Sequence, residues 1–229
     1  MQKDELYFNK WSELHNLPKK LPVFLKWNFD IILKQIPKYG NHSILDLGTG
    51  NGILLIKVAK HNPNCTFIGV DFSKGMLLQA KTNFKKYKII GRLIKTNLTK
   101  IPLESNSIDY IISNNVFHHV KDKKKLYQEI YRILKKKGKL IYSDSHDAVD
   151  NEFRNSKFEW VKKDNNFAKK YKKSADLFWK SLPKKLIQNH PKEYHYPLKD
   201  VRIFLLNAGF HNIKFVKSPA YFVIISATK

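Results

Sequence analysis

One cysteine, four arginines and 19 acidic residues among 229 set the first limits. With Cys65 as the sole thiol, no disulfide can form within the chain and a multi-cysteine zinc site is excluded. Cys65 then reads as a small buried hydrophobe. No signal-peptide pattern and no run of about 20 apolar residues is present. This predicts a protein without a transmembrane segment, working in the reducing cytoplasm. Arg92, Arg132, Arg154 and Arg202 are the only arginines among 43 basic residues, so the formal charge of +24 is carried almost wholly by lysine. Nucleic-acid readers favour arginine for bidentate contacts to phosphate and guanine. A lysine-, asparagine- and isoleucine-biased genome accounts for the excess at least as well as a functional basic patch does.

Glycine is also sparse, nine in all, yet three fall in the stretch "LDLGTGNG" at 45–52. That stretch follows an apolar strand pattern and precedes the helical pattern "ILLIKVA". Glycines at such a corner let backbone approach a ligand closely. The spacing of Gly48, Gly50 and Gly52 is not that of the dinucleotide fingerprint, and no Lys-Ser or Lys-Thr pair follows to make a P-loop. Asp46 at the mouth of the loop repels a phosphate and attracts a cationic group such as an amino-acid ammonium. One strand later, "TFIGVDF" ends in Asp71, where a doubly wound sheet presents an acid to ribose hydroxyls. Phe72 beside it suits an adenine face. A phosphate-free, partly cationic nucleoside is the ligand this set describes.

Five motifs in order, "LDLGTGNG" (45–52), "GVDFSKGML" (69–77), "IKTNLTKIPLESNSIDYIISNNVFHHV" (94–120), "YRILKKKGKLIYSD" (131–144) and "LLNAGFHNIKF" (205–215), give the chain its family likeness. It resembles the class I S-adenosylmethionine-dependent methyltransferases, in particular the group that includes the ubiquinone and menaquinone C-methyltransferases and related small-molecule enzymes. The resemblance implies S-adenosyl-L-methionine as cofactor. Gly48 and Gly50 would bracket its methionine part, Asp46 would lie near its ammonium, and Asp71 would take the ribose hydroxyls with Phe72 beside the adenine. Asn97 and Leu98 match the segment at the adenine edge, with Asn97 standing where the family usually has Asp; its carbonyl can accept from the exocyclic amine. Asn114, at the end of the fourth strand, would close over the methyl and carboxyl end.

The resemblance also implies an α/β fold: a doubly wound, Rossmann-like seven-stranded sheet, mostly parallel with an antiparallel last strand inserted between its neighbours. The residue pattern agrees, with strands near 43–47, 66–70, 89–94, 108–113 and 138–143 and helices near 52–61, 73–86 and 122–136. Ser73 is placed to cap the second of these helices. Gly138 is read as the stop of the third, with the lysines at 135–137 complementing its C-terminal dipole. One domain is expected at this length: N-terminal helices over 1–40, a cofactor-binding core over 41–144, a helical cap over 145–197, and a C-terminal helix and hairpin over 198–229. Tyr7, Phe8 and Trp11 on the first helix are candidate lid residues. In the cap, aromatic residues that include Trp160 and Trp179 alternate with lysine pairs, the pattern of amphipathic helices over an apolar pocket. Tyr7, Trp11, Trp160 and Trp179 are thus the substrate-pocket candidates.

A sulfonium already activates the methyl group, so a base is needed only when the acceptor carries a proton that must leave. His118, His119 and His146 are the candidates, although "HHV" marks the fold as much as a reaction; Asp144 is a further acid nearby. No metal-ligating or Ser-His-Asp constellation stands out. Three functions fit. The preferred one is methyl transfer to a small metabolite, lipophilic if the cap is aromatic. The alternatives are transfer to RNA, or less readily protein, over a lysine-rich surface, and a cofactor-binding protein without turnover. Peripheral contact with an anionic membrane also stays open, and the sequence leaves the oligomeric state undefined.

Overall fold

The computed structural model describes residues 2–14, 23–145, 190–217 and 222–229, with scattered helical positions between 166 and 188. In chain order the elements are α1 (Gln2–Leu14), α2 (Val23–Leu33), β1 (Ser43–Leu47), α3 (Ile53–His61), β2 (Thr66–Asp71), α4 (Lys74–Lys86), β3 (Arg92–Lys95), β4 (Ile108–Asn114), α5 (Lys123–Ile133), β5 (Leu134–Ser145), α6 (Leu198–Ala208), β6 (His211–Lys217) and β7 (Phe222–Thr228). They build one seven-stranded sheet in the order β3-β2-β1-β4-β5-β7-β6. β1 to β5 run parallel, and β7 enters antiparallel between β5 and β6. No described helix is long and apolar enough to cross a membrane.

The central strands read as unbroken apolar runs because both faces are covered. Side chains alternate across the sheet with period two: Leu45, Ile111, Leu140 and Val223 enter one core, whereas Ile44, Ile112, Ile141 and Ile224 enter the other. Leu126, Ile130 and Ile133 of α5 and Val201 and Leu205 of α6 complete the first core. Phe29 and Ile32 of α2 and Leu54, Leu55 and Val58 of α3 complete the second. This arrangement opens a crevice above the carboxyl ends of β1, β2 and β4, where such sheets bind ligands.

Two local features bear on that crevice. Ser73 caps α4 as expected, accepting from the Met76 amide at 3.1 Å. The same cap docks α1, because the Asn9 side-chain oxygen Oδ1 accepts from the Ser73 hydroxyl and the Gly75 amide, both at 2.8 Å. A side chain at Gly75 would collide with Asn9 and Ser12, so α1 depends on glycine there to lie this close.

The lysine run at 135–137 departs from expectation. α5 stops at Ile133 and a twelve-residue β5 begins at once, so the run lies in a strand and does not complement a helix end. Leu134 pairs with Ile108, a bulge follows, and Lys135 reaches Asp109 on β4 at 2.8 Å. Pairing resumes at Tyr110 with Lys139, so β5 carries three more residues than β4 across this irregularity, and Lys137 lies within it at φ 65. Cross-strand pairing thus overrides a local pattern that carries no hydrophobic period.

Candidate active site

The glycine corner folds as a chain of left-handed turns: Gly48, Gly50 and Gly52 have φ of 64, 53 and 79°. A side chain costs roughly 1–2 kcal/mol in that region. The three differ in what a Cβ would meet. At Gly48 it would strike Val116 at 2.5 Å, and at Gly52 it would strike Phe84 at 2.7 Å. At Gly50 it would enter open space, with only the Met76 sulfur at 4.0 Å. Gly50 therefore keeps room for something other than protein.

That room is part of a cavity of about 1100 Å³. Asp46, Gly48, Gly50, Asp71, Phe72, Asn97, Leu98 and Asn114 all line it, as do Tyr7, Phe8, Trp11 and His119. The structure thus brings every sequence-selected cofactor residue to one wall system, with α1 closing the side. Trp160, Trp179 and His146 lie outside the described residues.

Two buried acids stand at the floor. Asp46 is 1% exposed, and the Thr49 hydroxyl, at 2.8 Å, is its one hydrogen-bond donor among the described residues. Burial pushes its carboxyl up to about 8, opposed by Thr49 and reinforced by the nearby Asp71. Asp71 accepts from the Gly50 and Ser73 amides, both at 2.9 Å, which tie the glycine loop to the start of α4. Burial also raises Asp71, to about 6, against these amide bonds. A desolvated acid with one weak donor, next to a glycine cradle, is a seat for a cation. Ammonium chemistry fits it and phosphate does not. Asn97 differs in detail from expectation: its carbonyl already accepts from the amide and hydroxyl of Thr99, both at 3.0 Å. The side-chain NH2 is what it has left to offer a ligand.

The opposite end of the cavity is a histidine cluster. The turn after β4, Phe117–His119, carries His118 and His119. His118 does not line the cavity; it is 4% exposed, with Nδ1 on Asp144 at 2.5 Å and Nε2 facing Glu193 at 3.9 Å. His119 does line it, and desolvation drives its imidazole down to about 3, with His118 and His190 adding to the effect. It is neutral at any working pH, and its Nδ1 is buried without a hydrogen-bond partner among the described residues. The Tyr7 hydroxyl shares that condition, and burial raises it to about 12, so it remains a donor.

From the sequence, His190 and His195 in their Pro-flanked loop are equally structural or substrate-facing, whereas Lys123 and Tyr194, which fasten this wall, carry no signal. Segment 190–196 crosses the end of the cavity, with the Tyr194 amide donating to the His118 carbonyl at 2.7 Å. Lys123, 5% exposed, donates to the Phe117 and Val120 carbonyls at 2.6 Å and to the Tyr194 carbonyl at 3.0 Å. In the string "DKKK" it looks like any solvated lysine. Desolvation lowers its ammonium to about 8, partly offset by Asp144. Among the described residues no cluster of His, Cys, Asp or Glu has the arrangement of a metal site.

A seven-stranded sheet with β7 reversed, a glycine corner after β1 and acids at the ends of β1 and β2 defines the class I S-adenosylmethionine-dependent methyltransferase fold. Residues 39–200 match a family model described as a methyltransferase domain, and the chain belongs to that family. Among curated relatives, the U6 snRNA (guanine-N(2))-methyltransferase of Mus musculus is 34% identical over 110 residues, 45% of this chain and 21% of that protein. The demethylmenaquinone methyltransferase of Thermus thermophilus is 28% identical over 140 residues, 58% of this chain and 62% of that protein. The match thus spans less than two thirds of either relative. A methyltransferase structure from Aquifex aeolicus shares the fold with a TM-score of 0.67 at 19% identity, covering 96% of this chain and 97% of that one.

Proposed function

We propose that the protein transfers a methyl group from S-adenosyl-L-methionine to a small, lipophilic metabolite. The cofactor supplies a sulfonium-activated methyl group, and this chain's residues hold it, orient the acceptor and exclude water. Asp46 receives the ammonium, Gly48 and Gly50 flank the methionine part, and Asp71 takes ribose hydroxyls while bracing the loop. Phe72 covers the adenine, Leu98 and the Asn97 amide meet its edge, and Asn114 lies at the methyl end. Tyr7, Phe8 and Trp11 wall the acceptor space together with His119, whose neutral ring serves as a hydrogen-bonding partner. Holding two reactants in line can supply on the order of 7–11 kcal/mol of such a barrier.

The observation that carries this reading is the cavity itself. Small-ligand pockets occupy roughly 300–1,000 Å³, and about 1100 Å³ under an aromatic wall leaves space for cofactor and acceptor together. A second reading, transfer to RNA, draws on the snRNA-modifying relative and on Lys169, Lys170, Lys173, Lys180 and Lys184, all exposed at helical positions. Methyl-labelled S-adenosylmethionine, offered to a cell extract split into lipid, small-metabolite, RNA and protein fractions, separates the two. Label in the lipid or metabolite fraction is expected; label in RNA that declines steeply with salt would replace the first reading.

A further inference from the structure

Four imidazoles meet at the acceptor end, and the structure distinguishes them by which nitrogen is free. His118 has both nitrogens facing carboxylates and does not reach the cavity. His195 holds the Ser145 carbonyl at 3.0 Å through Nδ1 and Glu193 at 2.5 Å through Nε2. His119 reaches the cavity but is too strongly desolvated to take a proton readily. His190 differs from all three. It lines the cavity, and its Nδ1 faces two oxygens, the Pro191 carbonyl at 3.0 Å and Glu193 Oε1 at 3.4 Å. A bare lone pair would be repelled by both, so Nδ1 carries the hydrogen and Nε2 presents its lone pair. No described residue occupies that Nε2.

We propose that His190 is the general base of the transfer, positioned by Glu193, and that the acceptor is a molecule that must shed a proton, such as a phenol, an enol or a hydroxyl. This deepens the transferase reading above and rests on it. As the bond from acceptor to methyl carbon forms, the carbon–sulfur bond breaks and sulfur keeps its electron pair as a neutral thioether. The acceptor's proton passes to His190 Nε2 and from there to water. Glu193 stabilises the imidazolium that forms. Its carboxyl lies well below the usual range, first because His195 donates to it and further because His118 and His190 are close, so it is a carboxylate when needed. The Tyr7 and His119 rings, each 5.3 Å from His190 between centroids, fix the ring's plane. Both stay neutral, one a phenol and one an imidazole, and so do not compete for the proton.

Two measurements test this. In protein saturated with S-adenosylhomocysteine, nitrogen-15 spectra of the histidine side chains, with His190 assigned by substitution, should show His190 as the Nδ1–H tautomer. In Glu193→Gln that signal should shift toward a mixture. An Nε2–H tautomer in the wild-type protein would overturn the assignment without any turnover. In the transfer assay, using the extract fraction that wild type labels, His190→Gln should lower kcat by about 10²–10⁴, with S-adenosylhomocysteine affinity within about threefold of wild type by calorimetry. Full-rate transfer by His190→Gln would overturn the base and leave the transferase reading intact. Wild-type protein that binds S-adenosylhomocysteine yet labels no fraction would overturn both.

Discussion

Binding of the cofactor should expel a proton from Asp46. In the ligand-free protein burial holds this carboxyl near 8, so at pH 6 about one molecule in a hundred carries the charge that an ammonium needs. Ionising it costs about 1.4 kcal/mol for each pH unit below that value. The Kd for S-adenosylhomocysteine should therefore tighten about tenfold per unit between pH 6 and 8 and then level off. At higher pH still, the ligand's own ammonium deprotonates and affinity declines. Calorimetry at pH 6.5 in two buffers of different ionisation enthalpy should report release of close to one proton, and Asp46→Asn should abolish that release. The same group shapes stability with the opposite sign. Because the folded carboxyl is raised above its unfolded value of 3.8, the native state binds more protons than the unfolded state between roughly pH 4 and 8. Stability of the ligand-free protein then falls as pH rises through that window, and the gain in Tm from added ligand grows. A Kd that stays flat from pH 6 to 8, with equal heats in both buffers, would refute the assignment of Asp46 to a cationic group.

The glycine corner offers a sharper contrast. Gly50→Ala should leave a folded protein, weakened by about 1–2 kcal/mol of backbone strain, that has lost most S-adenosylhomocysteine affinity, since the new methyl enters the cradle. Gly52→Ala should instead show its damage in Tm, because its Cβ collides with Phe84 and Ala80 behind the loop. Equal Tm losses for the two would mean the cradle is misassigned. Asn9→Ala removes the acceptor of the Ser73 hydroxyl and Gly75 amide; a cost of about 1–2 kcal/mol in urea unfolding is expected, with faster hydrogen exchange across α1. Lys123→Met leaves the Phe117, Val120 and Tyr194 carbonyls without their donor. Roughly 2–4 kcal/mol of stability should be lost, and protease cleavage within 190–196 would register the loosening.

How far the sequence speaks for itself depends on the distance over which each feature is decided. β1, β2 and β4 are legible because their residues are buried on both faces and so form apolar runs. Ser73 is legible because a cap acts over three residues. The residues proposed to hold the cofactor follow the same logic, since Asp46, Gly48, Gly50 and Asp71 sit at or just after strand ends that the pattern already locates, and all four line one cavity. The lysines at 135–137 mislead because their strand state is set by Ile108 and Asp109, 26 residues away in the case of the Lys135 ion pair.

The acceptor end is hard to read from sequence for a reason that also constrains its chemistry. "NHPKEYHYP" at 189–197 carries no hydrophobic period, and its residues acquire their roles only by touching α1, the turn after β4 and the end of β5. Tyr7, His119 and His190 come from three such separate segments, yet their rings pack within 5.3 Å of His190. The proposed cofactor floor is held by two backbone amides on Asp71, that of Ser73 two residues on and that of Gly50 21 residues back, and neither comes from 190–196. The proposed acceptor wall is tied across long sequence separations by Lys123 on the Tyr194 carbonyl, the Tyr194 amide on the His118 carbonyl and His195 on the Ser145 carbonyl. Substitutions in 190–196 can therefore alter acceptor choice while cofactor binding stays the same. A variant such as Glu193→Gln that changed S-adenosylhomocysteine affinity as strongly as it changed turnover would contradict that division.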